Sequence, residues 1–235
     1  PAYGFFILKN VNVTIPDRTT TAIIGPSGSG KTTLCSLIAR FWDVDRGSIC
    51  IGGTDIREYT LESLMDQISM VFQNVYLFAD TIENNIKFGK PDASHEQVVA
   101  ATKKTCCHDF ISALPDGYDT VIGEGGATLS GGEKQRISIA RAMLKNAPII
   151  IFDEATANVD PENEDKLQKA MEELMRDKTI LMIAHRLKTV QKADRILVLD
   201  EGRIVQNGTH AEPKDTPGIY RDFLGVRKEA AGWKL

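Results

Sequence analysis

Gly25-Pro-Ser-Gly-Ser-Gly30-Lys31-Thr32 lies between an apolar run, Thr20 to Ile24, and a segment with Leu34, Leu37, Ile38 and Phe41 at helical spacing. A strand that passes through a glycine-rich loop into a helix leaves few folds open. The loop satisfies G-x-x-x-x-G-K-[ST]. Its glycines let backbone amides close around a β-phosphate. Lys31 reaches the β- and γ-phosphates, and the Thr32 hydroxyl is a Mg²⁺ ligand. Gly25, Pro26, Ser27, Gly28, Ser29, Gly30, Lys31, Thr32 and Thr33 are therefore the first candidates for nucleotide binding.

The 235 residues suffice for a full core, as one large domain or a core with a subdomain. The net charge of −4 argues against a nucleic-acid partner. The longest apolar runs, Ile149 to Phe152 and Ile180 to Ala184, have the length of buried strands and fall well short of the roughly 18 residues that span a bilayer. Cys35, Cys50, Cys106 and Cys107 lack C-x-x-C spacing and read as reduced thiols, and the histidines show no metal-ligand spacing.

Strands are expected at Phe6 to Ile15, Thr20 to Ile24, Ser48 to Ile51, Ile68 to Phe72, Pro148 to Phe152, Thr179 to Ala184 and Arg195 to Leu199. Asp200-Glu-Gly202 then turns into Arg203 to Val205, a hairpin signal. Lys31 to Phe41 reads as a helix, and Asn74 to Lys145 turns helical between Pro91, Pro115 and Gly123 to Gly126. Asp160-Pro161 starts a further helix, with Asp as N-cap and Pro at the first helical position. Its apolar face is Leu167, Ala170, Met171, Leu174 and Met175. Strands alternating with helices at both ends, around a helical insert, make an α/β core with an α-subdomain.

Leu129 to Arg136 reads LSGGEKQR and opens a helical pattern through Ile137, Ala140 and Leu144. A hydroxyl and bare amides at a helix N-terminus make a second anion site, at Ser130, Gly131 and Gly132. Asp153 and Glu154 end the apolar strand before them, where ligands of parallel sheets sit. Asp153 suits a Mg²⁺ shell, and Glu154 suits polarising the water that attacks a γ-phosphate. Gln73 and His185 also end strands. Taken alone each would be an ordinary surface or structural residue. Beside Lys31 and Glu154, His185 becomes a candidate γ-phosphate contact, and Gln73 a candidate for Mg²⁺ or the attacking water.

With these residues in hand, the chain resembles the nucleotide-binding domain of an ABC transporter over nearly its whole length. The family's features appear in its order: Walker A at Gly25 to Thr32, a Q-loop at Gln73, the signature at Leu129 to Glu133, Walker B ending at Asp153-Glu154, a D-loop at Ala157 to Asp160 and a switch histidine at His185. Thr120-Val-Ile-Gly-Glu124-Gly125 resembles the X-loop of exporters, and Ile56 to Thr60, Gln73 to Phe78, Thr81 to Ile86 and Ala184 to Leu187 also read like exporters.

This resemblance implies a P-loop NTPase (RecA-like) core, residues 1–73 and 148–235, with an antiparallel β subdomain and an inserted α-helical signature subdomain, residues 74–147. It implies ATP and Mg²⁺ as cofactors. Lys31, Gln73, Glu154 and His185 would be catalytic, and Thr32, Gln73 and Asp153 would hold the metal. Tyr3 would stack on adenine. Two such domains, identical or different, would pair head to tail, so that Ser130, Gly131, Gly132 and Glu133, with Asp160, would serve a nucleotide held by the partner.

A transmembrane domain fused upstream, and a place on the cytoplasmic face of a membrane, follow from the exporter likeness. An importer ATPase subunit, or a soluble ABC ATPase acting on nucleic acid or the ribosome, are the rival readings. The chain departs from the family at several points. Tyr3 stands closer to Lys31 than is usual, and the strand expected before it is missing, which implies either a cut N-terminus or a missing segment near Tyr3. The D-loop reads ANVD where SALD is commoner, Glu133 replaces Gln, and Pro213-Lys214 replaces Leu-Leu and should break the final helix.

Overall fold

The computed structural model of the chain describes residues 7–123, 128–153, 161–184, 187–211 and 218–224. In chain order the elements begin with β1 (Thr20–Ile24), α1 (Lys31–Ile38), β2 (Cys50–Ile51), β3 (Thr54–Asp55), α2 (Leu61–Gln67), β4 (Ile68–Val71), β5 (Asp80–Thr81), α3 (Ile82–Lys87) and α4 (His95–Lys104). They continue with α5 (His108–Ser112), β6 (Val121–Ile122), α6 (Gly131–Lys145), β7 (Ile149–Asp153), α7 (Pro161–Met175), β8 (Thr179–Ile183), α8 (Leu187–Lys192), β9 (Arg195–Asp200) and β10 (Arg203–Gly208). Two compact units result, Pro1–Met65 with Thr179–Leu235, and Asp66–Lys178.

In the first unit β1 runs parallel to both β8 and β9, with Ala22 opposite Met182 on one side and Ile196 on the other. β8 is buried along its whole length, as a strand covered on both faces must be. β10 returns antiparallel to β9 and alternates exposed with half-buried residues, the pattern of a strand with one wet face. β2 and β3 form a short antiparallel pair.

In the second unit β4 and β7 pair in parallel, Val71 opposite Phe152, and β5 and β6 form a two-residue antiparallel pair. Ile82, Ile86, Val98, Ile111, Ile122 and Ile137 are buried together as the core of the helical segment. Each such side chain contributes about 1.5–3 kcal/mol relative to exposure. Cys107 sits among them, and burial pushes its thiol up to about 12, so it is inert at neutral pH. On α7, Leu167, Ala170, Met171 and Leu174 are buried at the expected helical spacing.

Three expectations need correction. The strand expected over Phe6 to Ile15 is absent from its described part, residues 7–15. Asn10 adopts φ 51°, which breaks an extended run, and the Lys9 amide donates to the turn carbonyl of Gly202 at 2.7 Å instead of to a ladder. The helix expected through Phe41 stops at Ile38. Arg40 takes a left-handed φ of 54°, its amide donates to Leu37 O, and the Phe41 amide donates to Ser36 O at 2.9 Å. That is a Schellman ending, with arginine where glycine is usual. The Arg40 guanidinium holds the strained residue by donating to the Ile56 and Tyr59 carbonyls and to Asp43. Finally, the Asn74 to Lys145 segment contains β5 and β6 as well as helices.

Glu83 on α3 ties that helix to α4, with Lys87 Nζ at 2.7 Å and His95 Nδ1 at 2.6 Å. Burial alone would raise its carboxyl, but the Lys87 and His95 contacts outweigh burial and hold it below its ordinary 4.5. A depressed carboxyl stabilises the fold above its unfolded value and loses that contribution as pH falls through the folded one. Glu83→Gln is therefore expected to cost about 1 kcal/mol at neutral pH. Thermal melts should show the gap from wild type closing below pH 4.5. A gap that persists in acid would contradict the ion-pair account.

Candidate nucleotide site

Strand β1 delivers the chain to Gly25 at φ +151°, where an added Cβ would stand 2.0 Å from the Leu199 carbonyl oxygen. Only glycine fits there. Gly28 and Gly30 follow at φ +78° and +102°. Gly30 is the N-cap of α1 and offers no side-chain cap, so the first amides of the helix face outward as an anion site. Lys31 is buried, and its Nζ donates to Gly25 O at 3.0 Å and Pro26 O at 2.8 Å, which stations the ammonium over the loop. Ser27 and Gly28 are exposed at the tip of the loop, Thr32 is exposed and Thr33 is half-buried. Ser29 is braced from behind, its carbonyl accepting from the Gly202 amide at 3.1 Å. Its Oγ is buried with no hydrogen-bond partner among the described residues.

The second unit carries the other motifs. The parallel register of β4 and β7 brings Gln73 and Asp153 to the same, carboxyl, end of that pair. Gln73 is exposed and Asp153 is half-buried. At the start of α6, Ser130 Oγ accepts from the Glu133 amide at 3.3 Å, and Glu133 Oε2 accepts from the Ser130 amide at 2.8 Å. This reciprocal capping box forms the helix tip from the chain's own groups. Ser130 and Gly131 remain exposed there, and Gly132 is buried.

Tyr3, Glu154, Asp160 and His185 lie outside the described residues, as do Glu124 of the X-loop-like segment and the Pro213-Lys214 pair.

Sequence reasoning missed four residues of α6. Gln135 is buried, and its Nε2 donates to the Phe72 carbonyl at 3.1 Å, next to Gln73. Arg136 is 2% exposed, with its guanidinium over the Phe110 ring. Arg141 donates to the Asn85 carbonyl at 2.8 Å and to Tyr76 O at 3.4 Å, and Lys145 donates to Ile68 O at 2.8 Å. Burial lowers the pKa of both Arg141 and Lys145. Polar residues on a helix face that should be apolar were the available signal.

A strand, a glycine-bent loop, a lysine poised over it and an uncapped helix start define a P-loop NTPase. The ABC transporter family model matches residues 8–157, and the chain belongs to that family. It is 50% identical over 222 residues to an ATP-dependent lipid A-core flippase of Legionella pneumophila (strain Paris), covering 94% of this chain and 38% of that protein. The Escherichia coli (strain K12) flippase of the same name is 50% identical over 214 residues, 91% of this chain and 37% of that one. The solved structure of a bacterial Atm1-family ABC exporter with ATP bound superposes with a TM-score of 0.87 at 42% identity, over 94% of this chain and 39% of that chain. The chain thus spans about two fifths of these relatives, and corresponds to the ATP-hydrolysing domain of the exporter type.

Proposed function

We propose that this chain is the motor of a membrane exporter, that it binds MgATP in the Gly25 to Thr33 loop, and that it completes each catalytic site only with a second nucleotide-binding domain. The observation that supports this reading is that one chain holds two separate helix starts of the kind that suits an anion, Gly30-Lys31 and Ser130-Gly131. Nothing requires them to share a nucleotide. Ser130, Gly131, Gly132 and Glu133, with Asp160, serve ATP held by the partner, and Tyr3 stacks on adenine.

In the reaction, Lys31 offsets charge on the β- and γ-phosphates. Glu154 accepts the proton of the attacking water, while Gln73 and His185 orient that water and the γ-phosphate. Thr32, Gln73 and Asp153 are oxygen donors, the ligand type Mg²⁺ prefers, and when bound the ion neutralises charge on the phosphates. The functional division is a core of residues 1–73 and 148–235 around a signature subdomain of residues 74–147.

Among the described residues no helix is long and apolar enough to cross a membrane. The membrane part is proposed to be fused upstream, with this domain on the cytoplasmic face. A docking surface for it lies within the second unit. Tyr76, Phe78 and Phe88 stack in sequence on the surface, with ring centroids 5.1 and 4.7 Å apart. Beside Tyr76, a cavity of about 330 Å³ is lined by Val75, Leu77, Ile122, Gly123 and Leu129. Exposed aromatic clusters of this kind mark interaction sites. The flippase relatives make an amphipathic lipid the first cargo to try.

The test is turnover against concentration of the isolated chain. Turnover per chain is expected to rise with concentration, because each site needs two chains. Activity strictly proportional to the amount of protein on dilution would sink the shared site.

A further inference from the structure

Three side chains of α6 donate to backbone carbonyls of one continuous segment, Ile68 to Tyr76. Lys145 reaches Ile68 O at 2.8 Å, Gln135 reaches Phe72 O at 3.1 Å, and Arg141 reaches Tyr76 O at 3.4 Å. The spacing of Gln135 and Lys145 fits a rod laid along a strand, while Arg141, between them on the helix, reaches the segment beyond the end of β4. Gln135 and Lys145 are separated by about 15 Å along a helix. Their acceptors are separated by about 13 Å along an extended chain. Lys145 therefore pins the beginning of β4 and Gln135 pins its end. Gln135 is the only one of the three that is almost wholly buried, at 4% exposure, so its bond forms in a low dielectric with little competition from water. Its acceptor belongs to the residue just before Gln73, and its helix begins at Ser130.

We propose that Gln135 is a positioning residue that locks the backbone carrying Gln73 to the signature helix, so that the motif serving the chain's own nucleotide and the motif serving the partner's shift as one body. The proposal rests on the roles given above to Gln73 and Ser130. If the bond is lost, Gln73 and Ser130 keep their chemistry but lose their fixed relation. A misplacement near 1 Å can cost about 10²-fold in rate without loss of ground-state binding.

The experiment compares Gln135→Met, which keeps length and bulk but removes the donor, with Lys145→Met, which removes the matching bond at the far end of β4. Gln135→Leu, smaller and also without the donor, is made in parallel in case the Met variant fails to fold. For both Gln135 variants kcat is expected to fall about tenfold or more, with KM for ATP within about twofold of wild type. Lys145→Met should lower the thermal midpoint comparably and keep kcat within about twofold. Hydrogen exchange supplies a readout that does not need turnover. Amides of residues 72–76 and 131–135 should exchange faster together in the Gln135 variants and not in Lys145→Met. Equal losses of kcat in all variants, or wild-type kcat and exchange in Gln135→Met, would overturn the proposal. If wild-type turnover per chain proves independent of concentration while the coupled exchange is still seen, the two-chain reading falls and the Gln135 lock stands.

Discussion

Replacing Glu154 by Gln is expected to lower ATP turnover by about 10²–10⁴-fold while leaving ATP binding intact. The carboxylate is the group proposed to take the proton of the attacking water, and an amide of the same shape cannot accept it. Binding depends instead on the loop and on Lys31, whose ammonium is held over Gly25 and Pro26 by two carbonyls. With hydrolysis blocked, the proposed ATP-bound pair of domains loses the step that reopens it, so the variant should elute as a dimer with ATP and as a monomer without it. Size exclusion with light scattering decides the matter. An ATP-loaded monomer at high concentration would contradict the role given to Glu154 and the head-to-tail pairing.

Gly25→Ala is expected to be among the most damaging single methyls in the first unit. At φ +151° an L-residue is strained by about 1–3 kcal/mol. The new Cβ also meets the Leu199 carbonyl oxygen of β9 at 2.0 Å, a contact that must move backbone. Overpacking of this kind adds about 1–3 kcal/mol. Gly28→Ala is the matched control, since its Cβ meets no described atom within 4 Å although φ is +78°. It should lose only about 1–2 kcal/mol. Thermal melts of the two variants, with ATP titrations, test the difference. Equal destabilisation would mean that the Leu199 contact does not matter.

Elements covered on both faces could be read from residue type alone. β1 has the expected bounds, β7 is shifted by one residue at each end and β8 stops one residue early, because parallel strands in a covered sheet are short unbroken apolar runs. The start of α7 followed from Pro161, whose fixed φ suits a first helical turn. The end of α1 was hidden, because its stop is set by Arg40 rather than by glycine and because Phe41 extends the apolar pattern while remaining 47% exposed. β5 and β6 are two residues each, too short for any periodicity to register.

The candidate site divides in the same way. Gly25 to Thr33 was legible because the motif is local: loop, lysine and helix start are adjacent in the chain. Ser130 was legible for the same reason, since its cap partner Glu133 is three residues on. Gln135 was not. Its acceptor is 63 residues away, and a glutamine within a helix says nothing about which carbonyl it will meet.

The capping box of α6 has a consequence for the pace of the machine. A helix start carries roughly half a positive elementary charge. The Glu133 carboxylate, bonded to the Ser130 amide, sets a full negative charge beside it. The tip is thereby shaped in advance of any partner, yet its pull on an approaching phosphate is weaker than that of the same tip capped by glutamine. A surface that is ready-made but electrically blunted trades grip for release. In the proposed pair, such a tip would favour release after hydrolysis over a long dwell.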